Sequence, residues 1–151
     1  MIMTPAMPDQ IQHLTNTGRV KGLIHPVAQD ILYTQDFDAM CLNELRPMSQ
    51  VDLAHLLMLR RTEILSHTIT DPLIDVILEL QSTEFAPLRG RTAPRGTYML
   101  YESFLIEKLG IDLGGFLQTA RSRNDLSATM QRMRQRVALA NLVDDVIELQ
   151  N

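Results

Sequence analysis

The stretch that most constrains this chain lies at residues 118–126, where a polar cluster joins a loop to the longest helix-compatible run of the sequence. The cluster reads Gln-Thr-Ala-Arg-Ser-Arg-Asn-Asp-Leu, and the run continues to about residue 150. Backbone N–H groups at the start of a helix have no partner within the helix and favour an anion. The stretch therefore predicts a long helix that begins with a carboxylate-binding site.

The run at 125–150 carries two apolar stripes at helical spacing. The stripes consist of Leu126, Met130, Met133, Val137, Ala140 and Ile147, and of Leu139, Leu142, Val146 and Leu149. Two stripes predict two buried faces. A helix of about 26 residues is nearly 40 Å long at about 1.5 Å per residue, which is more than short neighbouring helices can cover. We therefore expect residues 126–150 to pack on a copy of this chain or on a second polypeptide.

The composition favours helices over strands. The 151 residues are 45% hydrophobic and 21% charged, the balance of one globular domain with a core of ordinary size. The chain has nine methionines and no tryptophan, and aromatic residues make up 5%. Strands favour β-branched and aromatic side chains, whereas aliphatic and thioether groups suit helices. The predicted fold class is all-α.

Charge and cysteine content exclude several classes of protein. A net charge of −4 does not favour binding to nucleic acid or to an anionic membrane. Cys41 is the single cysteine, so it offers neither an internal disulfide nor a cysteine pair for structural zinc. The sequence shows no secretory signal and no apolar stretch near the ~20 residues of a membrane span. We expect a cytoplasmic protein.

The pattern of helical periodicity divides the chain into three predicted regions. Residues 1–17 show no sustained period and predict a flexible arm. A helical domain is expected at 18–123 and a long helix at 124–151. Within the domain, helices are predicted at about 27–45 with a break near 33–35, at 49–65, at 71–81 and at 96–110.

Capping signals set the starts of two of these helices. Ser49, which follows Pro47, is expected to begin the second helix. Asp71 is a good N-cap, and Pro72 then suits the first helical position because its missing N–H is not needed there. We therefore expect breaks before residues 49 and 71.

Four segments match sequence patterns of a known family. Thr119 with Arg-Ser-Arg-Asn-Asp at 121–125 is similar to a His-Thr-Gly-Arg-Ser-Arg-Asn-Asp signature, and five consecutive polar matches are specific. The other matches are Gly-Arg-Val-Lys-Gly-Leu-Ile-His-Pro at 18–26, a helix with Ala-His at 51–59, and a helix ending in Leu-Gly at 103–110. In these segments the chain resembles the N-terminal portion of argininosuccinate lyase, in the fumarase and aspartase superfamily. The resemblance implies the helical N-terminal domain of that fold and the start of its first long central helix.

The resemblance also implies substrate-binding residues. Arg123 and Asn124 would bind a carboxylate of an amino-dicarboxylate. The residues that would shape the loop around them are Thr119, Arg121 and Ser122. Asp125 is expected to cap the helix rather than to touch substrate.

Two residues outside the cluster have more than one reading. Thr34 stands where the family has a substrate-contacting serine, although its hydroxyl could equally only cap or turn the helix. His55 suggests a ligand, but no second metal-type residue accompanies it at helical spacing, so we interpret it as a packed, hydrogen-bonded histidine. We predict no metal and no cofactor.

The resemblance implies a reaction for which this chain supplies only one part. Family lyases remove a proton next to a carboxylate and expel an amine from the neighbouring carbon, and fixed hydrogen bonds to the carboxylate stabilise the carbanion. The catalytic serine of the family lies on a Gly-Ser-Ser-x-Met-Pro loop, and three subunits build each active site. That loop does not occur in the 151 residues. We therefore expect no catalytic residue in this chain and no turnover by the chain alone.

Departures from the family pattern leave a second function open. Gly96, Thr97 and Tyr98 replace an Asp-x-His that helps to hold substrate, and Gln118 and Ala120 replace the histidine and glycine of the signature. Such changes would also fit a non-enzymatic module, derived from a lyase, that docks on a partner protein through its last helix. A third reading, nucleic-acid binding, would use Arg121, Arg123, Arg132, Arg134 and Arg136, but this basic run is also typical of a solvated helix face.

Overall fold

The computed structural model describes residues 25, 27–28, 31, 36–91 and 96–150. Every regular element in these ranges is helical, which confirms the all-α class. The elements are α1 (Phe37–Met40), a π-helical turn (Cys41–Leu45), α2 (Arg46–Arg61), α3 (His67–Ser82), a 3-10 turn (Ala86–Leu88), α4 (Thr97–Leu109), α5 (Ile111–Gly114), a second 3-10 turn (Gly115–Gln118) and α6 (Arg123–Gln150). Among the described helices none is long and apolar enough to cross a membrane. The predicted arm at 1–17 lies outside the described residues.

The predicted break before Ser49 is wrong, because α1, the π-helical turn and α2 follow one another without a gap. Pro47 has no N–H to donate to the carbonyl four residues earlier. The chain widens just before it, where the N–H of Arg46 bonds to the carbonyl of Cys41, five residues back. The hydroxyl of Ser49 is buried and donates to the carbonyl of Arg46 at 2.9 Å, so Ser49 does not cap a helix.

The predicted start at Asp71 is also wrong, because α3 begins one turn earlier, at His67 after Ser66. Pro72 therefore lies inside the helix and removes one backbone hydrogen bond. Buried Thr70 and Leu73 keep this turn packed, and the hydroxyl of Thr70 bonds to the carbonyl of Ser66 at 3.2 Å. The Asp71 carboxylate accepts from Arg60 of α2 at 2.6 Å instead of capping α3.

The core is built mainly from leucine and methionine, with three aromatic rings. The largest fully buried side chains are Tyr101, Phe85, Leu45, Leu56, Leu59, Leu73, Ile77, Leu80, Leu88, Leu105, Leu117 and Leu126. All of these except Leu59 form one core cluster, to which Met40, Met48 and Met130 also belong. The interior is thus largely aliphatic and thioether, with Phe104 as the third ring.

Only the first turns of α6 pack on this core. Leu126 and Met130 join the core cluster, and α2 contacts α6. From residue 134 to residue 150 every side chain of α6 is exposed. The 28 residues of α6 span about 42 Å at about 1.5 Å per residue, so half of this helix extends beyond the packed helices. The division of the chain into a domain at 18–123 and a helix at 124–151 stays a prediction.

Candidate functional site

The loop between the second 3-10 turn and α6 is a tight turn. The N–H of Thr119 bonds to the carbonyl of Phe116 at 3.0 Å, and the N–H of Arg121 bonds to that of Gln118 at 3.2 Å. Ala120 has φ of 58°, in the left-handed region. That conformation costs a non-glycine residue about 1–2 kcal/mol. This cost explains why the His-Thr-Gly-Arg-Ser-Arg-Asn-Asp signature has a glycine at the position of Ala120.

The start of α6 is closed by a reciprocal pair of side-chain caps. The hydroxyl of Ser122 accepts from the N–H of Asn124 at 3.1 Å. The Asp125 carboxylate accepts from the N–H of Ser122 at 2.8 Å. This arrangement is a capping box with aspartate in the acidic position. Within the described residues it leaves the N–H of Arg123 as the first-turn donor without a partner.

Asn124 and Arg123 lie on the exposed side of this helix start. The side-chain amide of Asn124 makes no hydrogen bond to a described residue. The Arg123 guanidinium lies over the Tyr98 ring, 4.6 Å from its centre, and its Nη2 bonds to Glu102 of α4 at 3.4 Å. The Tyr98 hydroxyl donates to the same carboxylate at 2.9 Å. Burial and Glu102 raise the pKa of Tyr98 well above its usual range, so this hydroxyl stays protonated.

Arg121 has the opposite surroundings. Its side chain is 6% exposed, and its Nη2 donates to Oδ1 of Asp52, a residue of α2 whose side chain is 0% exposed. The Nε of Arg121 donates to Oε1 of Gln118 at 3.4 Å. Arg121 is thus part of a buried ion pair that ties the loop to α2.

His55 gives the loop a second attachment to α2. Its Nε2 lies 2.8 Å from the carbonyl oxygen of Thr119. A carbonyl can only accept, so this contact places the proton on Nε2. His55 and Asp52 are three residues apart and therefore lie on the same side of α2. His55 is the hydrogen-bonded histidine that the sequence suggests.

The ion pair is surrounded by buried polar atoms that lack a partner. Among the described residues no hydrogen bond is made by Oδ2 of Asp52, the hydroxyl of Tyr101, Nε2 of Gln118 or Nη1 of Arg121. Burial raises the pKa of Asp52, and Arg121 opposes this shift only in part. Burial and the neighbouring Asp52 carboxylate raise the pKa of Tyr101 well above its usual value.

A cleft of about 350 Å³ lies beside Arg123. The lining residues are Glu44, Met48, Tyr98, Met99, Arg123, Leu126, Ser127, Met130 and Arg134. Three methionines and a leucine form an apolar wall, and the two arginines come from one side of α6. Apolar surface with a few placed charges suits an organic ligand with an aliphatic part, and the two arginines outnumber the one acid of the lining, Glu44.

The structure brings five of the six predicted site residues to one short segment. Ser122, Arg123 and Asn124 lie exposed at the start of α6. Thr119 and Arg121 face α2, through a carbonyl and a guanidinium respectively. Thr34 lies outside the described residues. In the described part of the chain no cluster of three metal-type side chains occurs.

Sequence reasoning missed Asp52 and Glu102. Asp52 lies four residues after Met48 and four before Leu56, on the buried side of α2. A carboxylate in the middle of an apolar stripe signals a buried partner. Glu102 had no comparable signal, because its contact with Arg123 depends on how α4 packs beside α6.

These features define a protein of the all-α class that presents an arginine and an asparagine at the capped start of α6, the longest helix among the described residues. The chain is 29% identical to argininosuccinate lyase 1 of Shouchella clausii over 132 residues, which are 87% of this chain and 26% of that protein. It is 32% identical to the argininosuccinate lyase of Methanocaldococcus jannaschii over 105 residues, 65% of this chain and 22% of that protein. With that of Methanocorpusculum labreanum it shares 28% over 142 residues, 93% of this chain and 27% of that protein.

The chain is thus homologous to argininosuccinate lyases over most of its length, which confirms the resemblance seen in its sequence. It spans about a quarter of the length of these relatives. No protein-family model matches the chain, and no solved structure matches it significantly.

Proposed function

We propose that this chain is a component of an argininosuccinate lyase-like C–N lyase and contributes the loop that binds a carboxylate of an amino-dicarboxylate substrate. The observation that carries the proposal is the capped start of α6, where Ser122 and Asp125 fix the backbone and leave the Asn124 side chain exposed. Homology to argininosuccinate lyases supports the class of reaction.

Two donors at this helix start would hold the carboxylate. The side-chain amide of Asn124 and the backbone N–H of Arg123 both lack a described partner. The Arg123 guanidinium adds positive charge and would share its hydrogen bonds between Glu102 and the ligand. Donors held rigidly stabilise the charge that develops when the neighbouring carbon loses its proton. The aliphatic part of the substrate would lie along the adjacent cleft.

The acid and the base of the elimination would come from another polypeptide. Ser122 caps α6, and the described residues place no histidine in hydrogen-bond contact with its hydroxyl, so nothing activates it as a nucleophile. The partner would be a lyase-type chain that carries the Gly-Ser-Ser-x-Met-Pro loop. Pairing with that chain would complete the site.

A complementation assay tests the proposal. The chain is mixed with an argininosuccinate lyase inactivated by an Asn→Ala change in its own Arg-Ser-Arg-Asn-Asp loop, and fumarate release is followed. We expect no turnover by either protein alone and restored turnover by the mixture. Asn124→Ala should abolish the restoration. Asn141→Ala is the matched control, because Asn141 is an exposed asparagine far along α6.

Turnover by the purified chain alone would contradict the shared site. Restoration that survives Asn124→Ala would contradict the role of the loop. Restoration that is lost with Asn141→Ala but not with Asn124→Ala would move the function from the loop to the body of α6.

The exposed half of α6 favours a second candidate function, a docking module without catalysis. Val137, Leu139, Leu142, Val143 and Val146 are exposed, and their spacing gives α6 apolar surface on more than one side. Three arginines lie near the base of this half, at 132, 134 and 136, and the acids Asp144, Asp145 and Glu148 lie near its tip. Antiparallel pairing of two copies would place opposite charges together, whereas parallel pairing would oppose like charges.

Sedimentation of the chain tests the docking function, and the complementation assay separates it from the first candidate, because only the first candidate predicts restored turnover. For a docking module, Leu142→Glu with Val146→Glu should abolish association, and Asn124→Ala should leave it intact. Association should also weaken as the salt concentration rises, because salt screens the attraction between the exposed arginines and acids of α6. A chain that stays monomeric at all concentrations and in the presence of lyase would contradict the docking function.

A further inference from the structure

Two residues of α2 hold the candidate loop at two points. His55 binds the carbonyl of Thr119 at 2.8 Å, and Asp52 binds the guanidinium of Arg121. The two contacts lie on either side of Ala120, the residue with a left-handed backbone. The loop is therefore attached to α2, which is distant from it in sequence, on both sides of its left-handed residue.

The two arginines of the loop have different tasks. Arg121 is 6% exposed and its Nη2 is already paired, so it cannot reach a ligand in solution. Arg123 is 53% exposed and lies beside the cleft. Ser122 lies between them in sequence and caps α6 by accepting from the N–H of Asn124.

The buried pair is a poor device for stability. Removing two charges from water costs several kcal/mol per ion, and apolar replacements of similar volume are often neutral or stabilising. Here each charged partner also keeps one buried polar atom without a hydrogen bond. A local arrangement that violates the rules of stable packing is expected where a structure serves function.

We propose that Asp52 is a positioning residue whose pairing with Arg121 holds the loop in the one conformation in which Ser122 caps α6 and Asn124 faces the ligand. The consequence for ligand binding rests on the proposed function. The effect on loop order does not, because the capping hydrogen bonds can be observed in the chain alone.

Three variants test this role in the full chain. Asp52→Asn leaves the Arg121 guanidinium buried without a counter-charge. Asp71→Asn is the matched control, since it removes an exposed ion pair that also involves α2. The double variant Asp52→Leu with Arg121→Met replaces the buried charges by apolar groups. Thermal unfolding reports on the whole fold, and amide hydrogen exchange at Ser122 and Asn124 reports on the loop.

The expected results differ between the two measurements. Asp52→Asn should lower Tm by about 10 °C, while Asp71→Asn should lower it by at most about 2 °C. The double variant should keep Tm within about 5 °C of the wild type, yet its Ser122 and Asn124 amides should exchange about tenfold faster or more. If these amides keep their wild-type protection in the double variant, the pair does not position the loop and the proposal is wrong.

Failure of the positioning role can be distinguished from failure of the proposed lyase function. Lost protection in the double variant, with a wild-type chain that restores no lyase activity, would refute the proposed function and leave the positioning role standing. If the double variant instead restores lyase activity as well as the wild type, the proposed function stands and the positioning role is refuted. If Asp52→Asn fails to fold, the double variant alone still decides the question.

Discussion

The first turns of α6 and the remainder of that helix have similar sequences and opposite surroundings. Leu126 and Met130 are 2% and 6% exposed, whereas Val137 and Leu142 are 62% and 56% exposed. All four belong to apolar stripes with the same helical spacing. The difference comes from the core cluster that covers the first pair. An apolar stripe thus predicts a face that can be buried, but it does not determine what buries it.

The same contrast exists elsewhere in the chain, where residues of the same type or of the same charge lie in different surroundings. Two adjacent glycines, two alanines and two acids each form such a pair. Substituting both members of a pair keeps the chemical change constant. Any difference between the two changes in stability then comes from the surroundings of the substituted residues.

The largest effect is expected for the leucines of α6. Leu126→Ala should lower the free energy of unfolding by about 3 kcal/mol, because it leaves a cavity in the core. Leu142→Ala should change it by less than about 0.5 kcal/mol in the single chain. Urea unfolding at low protein concentration measures both. Equal losses would show that the far half of α6 is covered within one chain.

The second-largest difference in stability is expected between the adjacent glycines of α5 and the following 3-10 turn. A Cβ at Gly114 would lie 2.8 Å from the Cα of Ile106 in α4, so Gly114→Ala should cost about 2 kcal/mol through overpacking. A Cβ at Gly115 meets nothing within 4 Å, and its φ of −65° suits alanine. Gly115→Ala should therefore be neutral or stabilise by up to about 1 kcal/mol. Thermal unfolding distinguishes the two, and a harmless Gly114→Ala would mean that α5 can move away from α4.

The alanines should give effects of opposite sign. Ala120→Gly should stabilise the chain by about 0.5 to 1 kcal/mol, because glycine tolerates the left-handed backbone of the loop. Ala128→Gly, at an exposed position inside α6, should cost about 1 kcal/mol. The two Tm values should lie on either side of the wild type. Loss of stability with Ala120→Gly would show that the loop does not adopt this turn in solution.

The smallest effect is expected for the pH dependence of stability, which should have opposite signs for Asp52 and Glu107. Burial raises the pKa of Asp52 above its usual 3.8, so the pH-dependent part of its contribution to stability is greatest at low pH and is lost as pH rises through the raised pKa. This change with pH adds to the pH-independent loss expected for Asp52→Asn, which leaves Arg121 buried without a partner. The hydrogen bond from Arg91 lowers the pKa of Glu107 below its usual 4.5, so its contribution is present at neutral pH and is lost as pH falls. Tm of Asp52→Asn and Glu107→Gln relative to wild type, measured from about pH 3 to pH 7, tests both signs. Parallel profiles would contradict the assignment.

Local spacing predicted the helices themselves and the capping role of Asp125, but not two of the helix starts or the capping role of Ser122. Ser122 and Asp125 stand three residues apart, so their capping contacts need only the first turn of α6. Proline and aspartate were less reliable guides. Pro47 and Pro72 suggested helix starts, but a π-helical turn accommodates the first, and the packing of Leu73 retains the helix around the second.

The sequence by itself determined the all-helical class, the long final helix, its two stripes and its polar start, because these depend on residues within one or two helical turns of each other. Only the tertiary structure decided that Arg121 points inward to Asp52, 69 residues away, while Arg123 points outward to the cleft. It also decided that the core covers one end of α6 and leaves the other exposed. Both outcomes depend on which helices lie side by side, and no local pattern encodes that arrangement.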